Sequence, residues 1–215
     1  MEYILIDLDG TITNPKEGIT KSFQYALRAM NIFIDDIDSL IKYIGPPLRD
    51  SFMNCFGLSE DEATTAIEKY REYYNEKGIH ENLLYQGMEQ LLTRLKQAGK
   101  YLIVATSKPE ELAVKVLESF HLEHYFDDIC GATFDERRSN KDEVIRYALE
   151  KNAITNLNKV VMVGDRKYDI LGAKEIGIAS IGVLYGFGSE EELREAGADN
   201  IAASVEDVYD IIIDF

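Results

Sequence analysis

The spacing of apolar and polar residues changes character twice along the chain. From Tyr85 onward, short β-rich apolar runs alternate with stretches of helical period. YLIVAT (101–106), DDICGA (127–132), KVVMVG (159–164) and IASIGVL (178–184) read as strands, and helical patterns begin near Gly87, Pro109, Asn140, Lys167 and Ser189. Near-continuous apolar strands separated by helices predict a parallel sheet covered on both faces. YILIDLD (3–9) joins that sheet from the other end of the sequence. Between Asn14 and about Leu84 the strand pattern disappears, and helical spacing takes over in ITKSFQYALRAM, IDSLIKYI, PLRDSFMNCF and EDEATTAIEKYREYYNEKG. The chain is therefore expected to be α/β: a core domain from 1–13 and 85–215, and a small α-helical domain inserted over 14–84. No internal repeat or low-complexity segment interrupts this order.

Composition narrows the class. With 215 residues, 46% hydrophobic and 29% charged, the chain has room for one core and a smaller inserted domain. Against 23 Lys and Arg stand 39 Asp and Glu, a formal charge of −16, so the surface repels phosphate backbones and anionic membranes. Nucleic acid polymers and membranes are thus not expected partners, whereas a small anion in a local basic pocket is compatible. No apolar run reaches the roughly 18 residues of a membrane span, and Asp7 interrupts any signal-peptide core, so a cytoplasmic location is expected. Cys55 and Cys130 lack metal spacing and read as two small buried thiols. His80, His121 and His124 form no ligand set. Tyr70, Tyr73 and Tyr74 at helical spacing read as packing and domain surface. YGFGS (185–189) lacks the full dinucleotide fingerprint and reads as a loop from strand to helix.

In open parallel sheets, ligands bind beyond the carboxyl ends of the strands. Asp7 and Asp9, Thr106 and Ser107, and Gly164 and Asp165 fall at such ends, and the helix after Ser139 brings Lys141. Two aspartates two apart on a strand point to one side, a costly arrangement unless positive charge answers it. Asp7, Asp165 and Asp169 supply the oxygen ligands that Mg²⁺ prefers, and Asp165 and Asp169 stand four apart where a strand gives way to a helix. A carboxylate beside such a cation can attack a phosphoryl group to form an aspartyl-phosphate. Asp7 is placed to be the nucleophile and Asp9 the acid and base. Thr106, the amides of the Pro109 helix and Lys141 would bind the phosphoryl oxygens. Each feature alone also fits a plain structural role: GDRKYD a helix start, Lys141 a solvated helix residue, Thr106 a strand-end cap. Their order and convergence point to a site.

DLDGT (7–11), ATSKP (105–109), Lys141 and GDRKYD (164–169) together resemble the four motifs of the haloacid dehalogenase superfamily, over the whole chain. The resemblance implies a Rossmann-like parallel core with a helical cap inserted after the first motif, and a Mg²⁺-dependent phosphatase acting on a small phosphomonoester. It implies Asp7 as nucleophile, Asp9 as acid/base, Thr106, Ser107 and Lys141 on the phosphoryl group, and Asp7, Asp165 and Asp169 at the metal with the backbone carbonyl of Asp9. IGPPLRDSF and LYGFGSEEEL are similar to segments of the phosphoglycolate phosphatases and of a related branch of 5′-nucleotidases. A phosphosugar mutase of the β-phosphoglucomutase kind would share every catalytic residue. A phosphoacceptor signalling domain, a non-enzyme, would have no use for Asp9 or a cap. One departure is Arg166, where many relatives carry Ser or Thr. Gly45 and two prolines precede Arg49 and predict a fixed turn, making Arg49 the candidate for substrate specificity.

Overall fold

The computed structural model describes residues 1–135 and 137–215. The chain divides into two compact units, Met1–Asn14 with Leu84–Phe215, and Pro15–Leu83. Its elements in chain order are β1 (Tyr3–Ile6), β2 (Thr13–Asn14), α1 (Lys16–Ala29), α2 (Leu48–Asp50), α3 (Glu60–Glu76), β3 (Leu83–Leu84), α4 (Met88–Gln97), β4 (Tyr101–Pro109), α5 (Glu110–Ser119), β5 (Asp128–Ala132), α6 (Lys141–Lys151), β6 (Val160–Gly164), α7 (Lys167–Ile176), β7 (Ala179–Val183), α8 (Glu190–Ala196), β8 (Asn200–Ala202) and α9 (Val205–Asp214).

The first unit holds a six-stranded sheet in the order β5-β4-β1-β6-β7-β8, every pair parallel. β1 is central, with Leu5 level with Ile103 of β4 and Met162 of β6. These three pack with Val144, Ile145 and Ala148 of α6, all fully buried. Burying each large side chain contributes about 1.5–3 kcal/mol, so α6 is held firmly against the sheet and its first residue is placed accurately. Helix starts are closed locally. Glu143 accepts from the backbone N–H groups of Ser139 and Asn140 (2.9 and 3.0 Å), and Ser189 Oγ accepts from the Glu192 N–H (3.1 Å).

Two differences from the expected elements matter. The predicted strand 3–9 ends at Ile6, because the Leu8 carbonyl accepts from the N–H groups of Thr11, Ile12 and Thr13 (3.3, 2.9 and 3.0 Å) and turns the chain. Asp7 still continues the ladder through its N–H to Val163 O (2.9 Å), but Asp9 stands in the turn. Beyond α8 the fold adds β8 and α9. A three-residue strand is too short to display a period, while α9 carries both a cap, Ser204 accepting from the Asp207 N–H at 3.3 Å, and a buried face of Val205, Val208 and Ile212 at helical spacing, a signal present in the sequence.

The second unit is helical, with a 3₁₀ turn over Ile37–Tyr43 and a π-type turn over Ser51–Cys55 beside α1 and α3. Phe23 of α1 lies 5.2 Å from Phe52, 5.1 Å from Tyr70 and 5.7 Å from Tyr43, ring centre to ring centre. Tyr70 and Tyr74 are buried and Tyr73 half-buried, so this tyrosine row is a packing feature. Cys130 is buried as expected, but Cys55 is exposed: its turn carries Phe52 inward and leaves Cys55 outside. Among the described residues, no helix is long and apolar enough to cross a membrane.

Candidate active site

All the side chains of the candidate site apart from Arg49 belong to the first unit; they lie at the carboxyl ends of β1, β4 and β6, on the segments that follow these strands, or, for Lys141, at the start of α6 after β5. Lys141, first residue of α6, is buried, and its Nζ lies 2.9 Å from Asp7 Oδ1 and 2.7 Å from Asp169 Oδ1 while donating to Ala105 O at 3.0 Å. One ammonium thus joins three separate segments. Asp169 Oδ2 accepts from the Arg166 N–H (3.1 Å), which closes the start of α7 and orients this carboxylate. Asp165 Oδ2 accepts from the Phe187 N–H (2.7 Å), and its Oδ1 from the Thr11 hydroxyl at 3.5 Å. Carboxylate oxygens of Asp7, Asp165 and Asp169 all lie within 4.8 Å of one another.

Glycines make this closeness possible. Gly10 has φ +92°, and a Cβ there would come 2.3 Å from Asp165 Oδ2; a Cβ on Gly186 would come 2.3 Å from Asp165 Cβ and 2.4 Å from Gly10 O. The YGFGS segment, expected as a plain loop from strand to helix, is therefore also a wall of the site.

Asp9 meets Lys108 Nζ at 2.5 Å through its Oδ2, and both side chains are buried. Thr106 Oγ1 accepts from the Lys108 N–H at 3.2 Å, which leaves the threonine proton for another acceptor. Ser107, half-buried, sits between them where the β4 register shifts.

The electrostatics favour a bound cation. Four buried carboxylates, Asp7, Asp9, Asp165 and Asp169, face two buried ammonium groups, Lys108 and Lys141. The third buried cation, Arg166, is engaged with Glu192 (2.9 Å). Four minus two leaves two negative charges, the deficit that one divalent ion would fill. Burial pushes the Asp165 carboxyl well above the usual carboxylate range, with Asp169 and Asp7 adding to it. Burial likewise raises Asp169 to about 6 against the pull of Lys141. Asp9 is raised by burial in spite of Lys108. Burial also works against the Lys141 ammonium, but Asp169 and Asp7 outweigh it and hold the lysine above its ordinary range. Asp7 Oδ1 and Asp169 Oδ1 are buried without a hydrogen bond of good geometry, although each is at ion-pair distance from Lys141. An all-oxygen donor set whose buried atoms lack a well-formed hydrogen bond fits a hard cation such as Mg²⁺.

Sequence reasoning missed Lys108, Thr11 and the Phe187 amide. Lys108 had left a signal: it stands two residues after Thr106 on one strand, so both share a face. Phe187 could not have been found, since its contact is made by the backbone. Arg49 belongs to the second unit, where its guanidinium meets Glu60 (2.7 Å) and Thr64 Oγ1 (3.2 Å).

A protein-family model described as haloacid dehalogenase-like hydrolase matches residues 4–183. A 5′-nucleotidase from Pseudomonas aeruginosa is 44% identical over 191 residues, covering 89% of this chain and 86% of that protein. A protein from Mycobacterium tuberculosis named tyrosine-protein kinase PtkA is 33% identical over 213 residues, covering 98% of this chain and 72% of its own. Among solved structures, one described as a predicted phosphatase from Clostridium acetobutylicum matches with a TM-score of 0.96 at 47% identity, covering 100% and 99% of the two chains.

Proposed function

The chain belongs to the haloacid dehalogenase-like hydrolase family, and from that premise we propose that it is a cytoplasmic phosphatase that cleaves a small-molecule phosphomonoester through an aspartyl-phosphate on Asp7. The observation that carries this reading is Lys141 bridging Asp7 and Asp169, two of the three convergent carboxylates, because it sets a buried cation against a nucleophile.

Asp7, Asp165 and Asp169, with the Asp9 backbone carbonyl, would hold Mg²⁺, which when bound supplies positive charge that offsets the phosphoryl oxygens and the nucleophile. Asp7 attacks phosphorus as the bond to the leaving oxygen breaks, and Asp9 gives that oxygen a proton. Asp9 then takes a proton from water, which attacks phosphorus and frees Asp7 and inorganic phosphate. Lys141 neutralises charge throughout, and the Thr106 hydroxyl donates to a phosphoryl oxygen with Ser107 beside it. The helical unit selects the substrate, with Arg49 on its second polar group.

Both phosphoglycolate and nucleoside monophosphates fit the family's range. Similarity to a named 5′-nucleotidase puts nucleoside monophosphates first. The test is phosphate release over phosphoglycolate, sugar phosphates and nucleoside monophosphates, with Asp7→Asn and Asp9→Asn alongside. Asp7→Asn should abolish turnover, and Asp9→Asn should lower it roughly 10²–10⁴-fold while still trapping a phosphoryl group from a good leaving group. Tryptic mass spectra should place the label on Asp7. Label elsewhere, transfer from ATP to protein tyrosine in place of water, or dependence on a sugar bisphosphate activator would overturn the assignment.

A further inference from the structure

Asp9 lies in the turn after β1, where an isolated β-bridge to Thr13 fixes its backbone but leaves its carboxylate to be held by another group. Its two oxygens have different surroundings. Oδ2 is on Lys108 Nζ at 2.5 Å, whereas Oδ1 is buried and has no hydrogen-bond partner. Lys108 is itself constrained: it is 9% exposed, sits near the end of β4 where the register shifts between Thr106 and Pro109, and its N–H is spent on Thr106 Oγ1. The lysine therefore projects from the strand that carries the phosphate-binding threonine onto the residue that handles the proton.

Resting on the reading of Asp9 as acid and base, we infer that Lys108 is a positioning residue for the proton-transfer step, anchoring Asp9 by Oδ2 so that Oδ1 faces the leaving group. In that step the Asp7–phosphorus bond forms, the bond from phosphorus to the substrate oxygen breaks, and the Asp9 proton passes to that oxygen. Asp9 is left as a buried carboxylate, and the Lys108 ammonium is the adjacent charge that stabilises it. The return of the proton from water regenerates the acid without moving Lys108. A lysine acting instead on the phosphoryl group would help every substrate alike. One acting through Asp9 helps in proportion to how much the leaving oxygen needs a proton.

That difference is measurable in kcat/KM, which covers events up to the covalent intermediate. Glycerol phosphate has an alkoxide leaving group that needs the acid; p-nitrophenyl phosphate needs it far less. Lys108→Ala should lower kcat/KM for glycerol phosphate by about 10–100-fold, part of the roughly 10²–10⁴-fold attributable to general acid catalysis, and at least about tenfold less for p-nitrophenyl phosphate. Lys108→Arg should recover most of the loss, and Lys108→Gln, with a donor but no charge, should fall between. In an Asp9→Asn background Lys108→Ala should cost little more, and calorimetric Mg²⁺ affinity should stay unchanged. Equal losses on both substrates, or losses that add fully to those of Asp9→Asn, would overturn the positioning role and leave Asp9 as the acid. An Asp9→Asn variant that itself shows no leaving-group dependence would remove the acid/base reading and this inference with it. Should Lys108→Ala fail to fold, the ratio of the two substrates for Lys108→Gln and Lys108→Arg decides the matter.

Discussion

Met1–Asn14 with Leu84–Phe215 buries Asp7, Asp9, Lys108, Lys141, Asp165, Arg166 and Asp169, whereas the buried polar side chains described in Pro15–Leu83 are Thr20, Ser22, Ser51 and Asn82, none of them charged. The helical unit is centred on rings, with Phe23 against Phe52, Tyr70 and Tyr43. Removing a charge from water is costly unless partners or a cation offset it, so a unit that buries seven depends on their mutual pairing. A unit that buries none is free to optimise packing. The two should therefore respond to different perturbations.

The largest effect should come from withdrawing the proposed cation, to which only the unit with buried charges should be sensitive. Exhaustive chelation should abolish phosphatase activity, with Mg²⁺ restoring it and Ca²⁺, larger and more loosely coordinated, doing so poorly. The same carboxylates set a pH dependence. Asp169, with a folded pKa of about 6, and Asp165, also raised, bind more protons folded than unfolded above the ordinary carboxylate range. The stability of the metal-free protein should fall as pH rises from about 4, the unperturbed carboxylate value, through the folded value. Mg²⁺ needs the deprotonated forms, so its stabilising shift in melting temperature should be larger at pH 7.5 than at pH 5. A pH-independent shift would remove these aspartates from the metal site.

Next in size is the aromatic cluster. Phe23→Ala should cost about 3–5 kcal/mol in denaturant unfolding, the range for a fully buried ring, and Mg²⁺ should not restore it. Its kcat/KM for p-nitrophenyl phosphate, measured where the variant remains folded, should stay within a few-fold of the parent. A collapse of that activity would show that the two units do not divide the work.

Smallest is the contribution of Arg49. Arg49→Ala should lower kcat/KM for the best physiological substrate by about 1.5–3 kcal/mol, the range for a hydrogen bond to a charged group, and barely change p-nitrophenyl phosphate, which offers no second anion. Glu60→Ala, which removes the ion-pair partner but keeps the guanidinium, separates specificity from scaffolding. If Glu60→Ala reproduced the Arg49→Ala loss, or if both substrates suffered equally, Arg49 would be assigned to the helical unit's own architecture.

How much was legible in advance depended on the range of the interaction involved. Helices α4, α5, α6 and α8 start from Gly87, Pro109, Asn140 and Ser189, where the periodicity placed them, because capping and amphipathic spacing are written within a few residues. Asp7, Lys141, Asp165 and Asp169 were legible as a set because strand ends in a parallel sheet converge whatever the details of packing. Asp9 was identified, but its place in a turn was not: alternation cannot reveal that Leu8 O receives three N–H donors. Cys55 was misjudged for a related reason, since a thiol's burial depends on which way a short irregular turn faces.

By itself, then, the sequence determined the alternation of strands and helices, the helical insertion and the identity of the carboxylates, all of which follow from local period and residue chemistry. Only the tertiary structure decided the pairings: Lys108 with Asp9, 99 positions apart, Lys141 with both Asp7 and Asp169, Arg166 with Glu192, and the Phe187 amide with Asp165. A pairing is a distance of a few ångströms between side chains on different strands and loops. Sheet order, register and close glycine packing set that distance, and none of the three is expressed in the spacing of residues along the chain.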